Sequence, residues 1–211
     1  MRKLLALIVT LIAVLPVAHA ADTPDKVFMF IPDGSRDLEL MLTEEVGLMR
    51  EMLEDAGFSV DIATTNNQTL TASTASLEPT IALEDVNAAD YAGVILPCMA
   101  PAPGSHSTPD AVTAIVEQAV ALGLPVAASR GSVATLARAG ALVGKQYAYA
   151  SPVDLSKRPE FRGGEFQGIG VVRDGLISTA GICPLAARSL GEPDGTEELT
   201  EYFIASLEEA D

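Results

Sequence analysis

Apolar positions along this chain come as short solid runs separated by stretches at helical spacing. Lys26 to Ile31 is a short run, apolar after Lys26, that Pro32-Asp33-Gly34 ends, which predicts a buried strand. From Leu38 the spacing changes: Leu38, Leu42, Val46, Met49, Leu53 and Ala56 recur every three or four residues until Gly57, predicting one helix with a glycine stop. Phe58 to Ala63 reads as a second strand, and residues 70 to 90 read as a small hairpin and a connecting loop. Ala92 to Pro97 has the composition of a buried strand, with Cys98 at its carboxyl end. The next helix is well signalled, with Thr108 as cap, Pro109 at the first position, Asp110 in the first turn, an apolar face of Val112, Ile115, Val116, Ala119 and Val120, and Gly123 at the end. Pro125 to Ala128 then predicts a strand that breaks at Ser129 into a short helix reaching Ala139.

The remainder of the chain is strand-rich and then helical. Lys145 to Tyr149, Glu165 to Val172 and Gly175 to Thr179 read as strands, the last two joined by a hairpin turn at Arg173-Asp174-Gly175. Pro184 to Leu190 and Glu197 to Leu207 have helical patterns. Alternation of strand and helix over the first two thirds predicts an α/β fold with a mostly parallel central sheet covered on both faces. No internal repeat or low-complexity linker divides residues 21–211, so one domain is expected there.

The amino terminus departs from this pattern. Arg2 and Lys3 precede an apolar run from Leu4 to Val17, and Ala18-His19-Ala20 before Ala21 forms an A-x-A-like cleavage site, so residues 1–20 read as a secretory signal peptide. A bilayer span needs about 20 apolar residues, which this run does not reach. The expected location is the bacterial periplasm or the medium.

Charge narrows the partners. The chain has 13 Lys and Arg against 29 Asp and Glu, a net charge of −16, and loss of Arg2 and Lys3 makes it more negative still. Phosphate backbones and anionic lipid surfaces are repelled by such a chain, so neither nucleic acid nor, after signal cleavage, a membrane is an expected partner. A small-molecule ligand remains open. No cofactor-binding or metal-ligand spacing stands out.

Export gives the two cysteines, Cys98 and Cys183, meaning, because an oxidising compartment lets two thiols become one bridge. Two unpaired buried thiols are the alternative. Ser129 lies in Leu124-Pro-Val-Ala-Ala-Ser-Arg-Gly-Ser132, where the small-x-nucleophile-x-Gly pattern marks a strand-turn-helix elbow that lifts a side chain clear of the backbone. In an open parallel sheet, sites form beyond the carboxyl ends of the strands. The segments from Asp33 to Glu39, Cys98-Met99, Ser129-Arg130 and Gly181 to Pro184 all fall there.

These segments resemble the DJ-1/PfpI (ThiJ) family of the class I glutamine amidotransferase-like superfamily. Lys26 to Leu40 is similar to its first strand and acidic turn, Ala56 to Ala63 to its second strand, Tyr91 to Pro97 to the strand before its Gly-Gly turn, and residues 124 to 131 to its elbow. The hairpin Arg173 to Gly181 followed by Pro184 matches as well. The resemblance implies a flavodoxin-like three-layer sandwich and a homodimer.

It also implies a site of an elbow cysteine, a histidine in many members, an acid from the first strand-helix turn and backbone donors for an oxyanion. Carried over, the acid falls on Glu39, the cysteine on Ser129 and the histidine on Ser151, while Cys98-Met99 replaces the Gly-Gly turn. Met99 and Arg130 become candidate binding positions, and both cysteines border the same pocket. A serine hydroxyl needs an adjacent general base, and the only histidine after the leader, His106, lies in the loop before the Thr108 helix.

The expectation is therefore an exported domain with a degenerate site, a pseudoenzyme that binds a small molecule or serves in stress protection. The alternative is a hydrolase, a deglycase or glyoxalase-like enzyme, or a hydratase-like enzyme, using Ser129 or a water activated by Glu39. A raised Glu39 pKa favours that alternative. A bridge between Cys98 and Cys183 is the first expectation for the cysteines, with a displaced reactive thiol at Cys98 or a redox role for the pair as the others.

Overall fold

A computed structural model describes residues 25–100, 108–150 and 155–210. Strand β1 (Lys26–Ile31) is followed by α1 (Leu38–Leu40), a π-helical segment Met41–Gly47, and α2 (Leu48–Asp55). Next come β2 (Ser59–Thr64), the small hairpin β3 (Leu70–Thr71) and β4 (Ser76–Leu77), β5 (Gly93–Leu96), α3 (Asp110–Leu122), β6 (Val126–Ser129) and α4 (Val133–Arg138). The chain ends through β7 (Gln146–Tyr147), β8 (Glu165–Phe166), β9 (Val171–Asp174), β10 (Ile177–Ala180), α5 (Pro184–Leu190) and α6 (Thr196–Ala210).

Six strands form the central sheet in the order β2-β1-β5-β6-β10-β9. Every neighbouring pair is parallel except β9 with β10. This is the expected flavodoxin-like sandwich. Both faces of β1 are buried: Val27, Met29 and Ile31 join one core with Met49, Leu53, Phe203 and Leu207, while Phe28 and Phe30 join the other with Val112, Val116 and Leu136. An unbroken apolar run is the sequence signature of a strand covered on two sides. Gly93 lets α6 close down on β5, since a Cβ there would lie 2.8 Å from Leu207 Cδ2 and 2.9 Å from Phe203 Cζ.

Three elements differ from the sequence expectation. The helix expected over residues 38–56 is interrupted by the π segment, which takes in the buried Glu45 and ends at Gly47; widened turns of this kind recur at functional sites. At the start of α3 the cap position is Pro109 rather than Thr108, and no side chain caps the helix. The single strand expected over 165–172 divides into β8 and β9 around Gly168, whose φ of 113° favours glycine. That bend brings Ile169 over Gly181, where a Cβ would collide with the Ile169 carbonyl oxygen and lie 2.7 Å from its C and Cα.

Among the described residues no helix is long and apolar enough to cross a membrane. The leader expected at residues 1–20 lies outside the described residues.

Candidate active site

The carboxyl ends of β1, β5, β6 and β10 converge on one polar cluster inside the core. Ser129 ends β6 and is fully buried. The backbone turns at the next residue: Arg130 has φ 37°, while Ser129 keeps an extended φ of −99°. The corner of the elbow is therefore Arg130, one position later than the sequence pattern suggests. A non-glycine residue in the left-handed region is strained and persists where surrounding structure holds it. Ser132 Oγ donates to Pro97 O at 2.7 Å, fastening the start of α4 to the end of β5.

The turn after β5 is strained in the same way, with Met99 at φ 52° and Ala100 at φ 40°. Its two leading amides point at one carboxylate. Cys98 N–H donates to Glu45 Oε1 at 3.1 Å and Met99 N–H to Glu45 Oε2 at 3.0 Å. Glu45 is 0% exposed, and its pKa is pushed up to about 8, mainly by burial and then by the Cys183 thiol beside it, against the pull of the two amides. At neutral pH this carboxyl is largely protonated.

Ser129 Oγ faces Glu45 closely enough to favour its charged form. It meets no hydrogen-bond geometry with any group, however, and is an unpartnered buried hydroxyl among the described residues.

Glu39, the acid expected here from the sequence, is held elsewhere. Its carboxylate accepts from Ser73 Oγ at 2.7 Å, from Thr74 N–H at 2.9 Å and from the Thr74 hydroxyl. These bonds, Thr74's hydroxyl foremost, pull its pKa down to about 2. Glu39 thus clamps the β3–β4 hairpin, and the acid beside Ser129 is Glu45, six residues on. A signal for it was present: Glu45 lies four residues before Met49 and eight before Leu53, on the stripe that packs inward. A carboxylate in a buried stripe is rarely there without a partner.

Both cysteines are free thiols and buried, Cys98 at 1% and Cys183 at 0% exposure. They flank the elbow just beyond the ends of β5 and β10, the two strands beside β6. Contact with Cys183 and burial push the Cys98 thiol well above its ordinary value. The Cys183 thiol is pulled down to about 6, first by Cys98, then by the Ala186 N–H and the Arg130 guanidinium. Cys98 Sγ also accepts Ala100 N–H at 3.4 Å.

Arg130 is partly buried, and its Nε has no hydrogen-bond partner among the described residues. Its charge acts on Cys183 and on Tyr149. Met99 is fully buried and contributes its amide, with its side chain packed in the core. Ser151 and His106 lie outside the described residues. Among the described residues no group of three or more His, Cys, Asp or Glu side chains is placed to hold a metal ion.

A doubly covered parallel sheet with a buried acid, a sharp corner after β6 and a strained turn after β5 defines a flavodoxin-like domain with its site at the strand ends. The chain belongs to the DJ-1/PfpI family, whose model matches residues 25–186. A ThiJ/PfpI domain protein from Brachyspira murdochii superposes with a TM-score of 0.66 at 14% identity, covering 89% of this chain and 98% of that one. Drosophila melanogaster DJ-1beta superposes with a TM-score of 0.57 at 20% identity, covering 89% and 96%. A putative transcriptional regulator protein from Vibrio parahaemolyticus gives 0.60 at 18% identity, covering 88% and 99%. No curated relative matches the chain. At these identities the structural likeness carries the fold alone.

Proposed function

We propose that this is an exported DJ-1/PfpI domain whose elbow no longer performs nucleophilic chemistry at Ser129 and instead binds a small carboxylate-bearing molecule, in the periplasm or outside the cell. The observation that carries the reading is the pairing of Glu45 with the Cys98 and Met99 amides. Those N–H groups sit where an oxyanion would be stabilised, and each is already spent on a carboxyl oxygen. Ser129 is buried and its hydroxyl has no hydrogen-bond partner among the described residues, whereas a serine nucleophile needs an adjacent general base. Arg130 supplies a cation with an unsatisfied donor at the strained corner, and strain concentrates at ligand clamps.

The reading is tested by calorimetric titration of acetate, lactate and succinate into the mature protein and its Arg130→Gln variant. Saturable binding weakened at least tenfold by the substitution is expected. No saturable heat, or equal binding by the variant, refutes it. Export is tested by expression of the full chain in a bacterium, with the periplasmic protein expected to begin at Ala21.

A second reading has one observation in its favour. A carboxyl that titrates near 8 is matched to proton transfer at neutral pH, which suits a hydratase-like or glyoxalase-like reaction driven by Glu45. Turnover of methylglyoxal that survives Ser129→Ala and disappears in Glu45→Gln supports it over the binding reading.

A further inference from the structure

We propose that the groove at the amino ends of β6 and β10 binds the acyl chain of a free medium-chain fatty acid, with the carboxylate held at Lys145. The groove lies at the opposite end of these strands from the elbow. Leu124 leads into β6, Leu176 and Ile177 open β10, and Val120 and Val143 stand at the sides of a cavity of about 340 Å³. Small-molecule sites are mostly apolar and occupy roughly 300–1,000 Å³.

Exposed apolar surface gathers here. Six large apolar side chains are exposed among the described residues, and three belong to this groove: Val120 and Val143 line it, at 38% and 64% exposure, and Leu122, at 54%, precedes its Gly123. Apolar residues scattered singly over a surface are ordinary, whereas a cluster around a concavity marks a site. Gly123 and Gly140 line the groove without side chains, and a Cβ at either would meet no atom within 4 Å, so open space lies beside both.

Charge selects the occupant. Lys145 is the one charged residue lining the groove, and the segments that build it, residues 118–126, 139–146 and 175–178, hold no Asp or Glu in a chain with 29. The Lys145 ammonium donates to Asp174 Oδ1 at 3.2 Å, and a lysine carries three donors, so others remain for a ligand. A Cβ at residue 175 would press on that ammonium at 3.3 Å, so Gly175 leaves the cation room. The carboxyl-terminal ends of α3 and α4 bring partial negative charge to this side, which Arg138 in the last turn of α4 offsets. Apolar walls with one cation at the rim suit an amphiphile with an anionic head. A sugar or a nucleotide would leave polar groups unpaired against these walls.

This proposal does not rest on carboxylate binding at the elbow, and its test keeps the two apart. Octanoate and its neutral counterpart octanol are titrated calorimetrically into the mature protein and its Val143→Glu and Lys145→Gln variants, with excess succinate present to occupy the elbow. Wild type is expected to bind octanoate saturably and at least tenfold more tightly than octanol. Val143→Glu is expected to weaken octanoate at least tenfold, and Lys145→Gln to bind acid and alcohol alike. Where circular dichroism shows that a variant fails to fold, the comparison of acid with alcohol in wild type decides. No saturable heat, equal affinity for acid and alcohol in wild type, or octanoate binding unchanged by Val143→Glu overturns the proposal. So does a dimer in light scattering that Val143→Glu splits and octanoate leaves intact, because a second copy then covers the groove.

Discussion

Glu45 Oε2 accepts the Met99 N–H at 3.0 Å inside a core where neither residue is exposed, so the acid of the first long helix and the strained turn after β5 are one unit. This pairing fixes the turn at φ values that Met99 and Ala100 would not adopt unsupported. It also leaves the Cys98 and Met99 amides occupied by the Glu45 carboxyl.

Glu45 makes stability depend on pH. In the unfolded chain its carboxyl ionises near 4.5, and in the folded chain near 8. Between these values the unfolded state releases a proton that the folded state keeps, so Glu45 erodes stability as pH rises from 4.5 to 8, by a few kcal/mol at most, and no further above that. Glu45→Gln removes this slope. Because glutamine offers one carbonyl oxygen, one of the two amides is left unpaired, at a cost of about 1–3 kcal/mol. Urea midpoints of both proteins at pH 5, 6.5 and 8 are expected to converge as pH rises, and curves that stay parallel contradict the assignment.

Glu39 has the opposite sign and a different site of action. Its pKa falls from 4.5 to about 2 on folding, so its contribution is present above pH 4.5 and is lost as pH drops toward 2. Glu39→Gln is expected to speed hydrogen exchange severalfold in residues 70–77 at neutral pH while leaving Glu45 and its amides protected. Equal exchange in that hairpin would show that the clamp has no effect.

At the elbow, Arg130→Gly tests strain directly. Glycine accepts φ 37° at no steric cost, and the relief is worth about 1 kcal/mol. The variant is expected to melt at or above the wild-type temperature while losing carboxylate binding, whereas Arg130→Ala gains nothing in stability. A glycine variant that melts well below wild type would assign Arg130 a packing role.

The sheet was largely legible because β1 after Lys26, β5, and β6 up to Ala128 are short apolar runs and α3 carries its own start and stop residues. The π segment was not, since Leu42, Val46 and Met49 keep ordinary helical spacing and the widened turn belongs to packing around Glu45. The site was half legible. Ser129, Arg130, Cys98 and Cys183 announced themselves at strand ends, but two acids, Glu39 and Glu45, sit close together on the same helical stretch, and only tertiary contacts separate them. Glu39 finds its partners in Ser73 and Thr74, on a hairpin whose docking no local pattern records.

If Ser129 carries no chemistry, its removal leaves turnover unchanged. Wild type and Ser129→Ala, compared on p-nitrophenyl acetate, a peptide substrate mixture and methylglyoxal at pH 7.5, are expected to have equal rates. A rate that falls at least 100-fold with the serine removed, in a variant that still folds, contradicts the account.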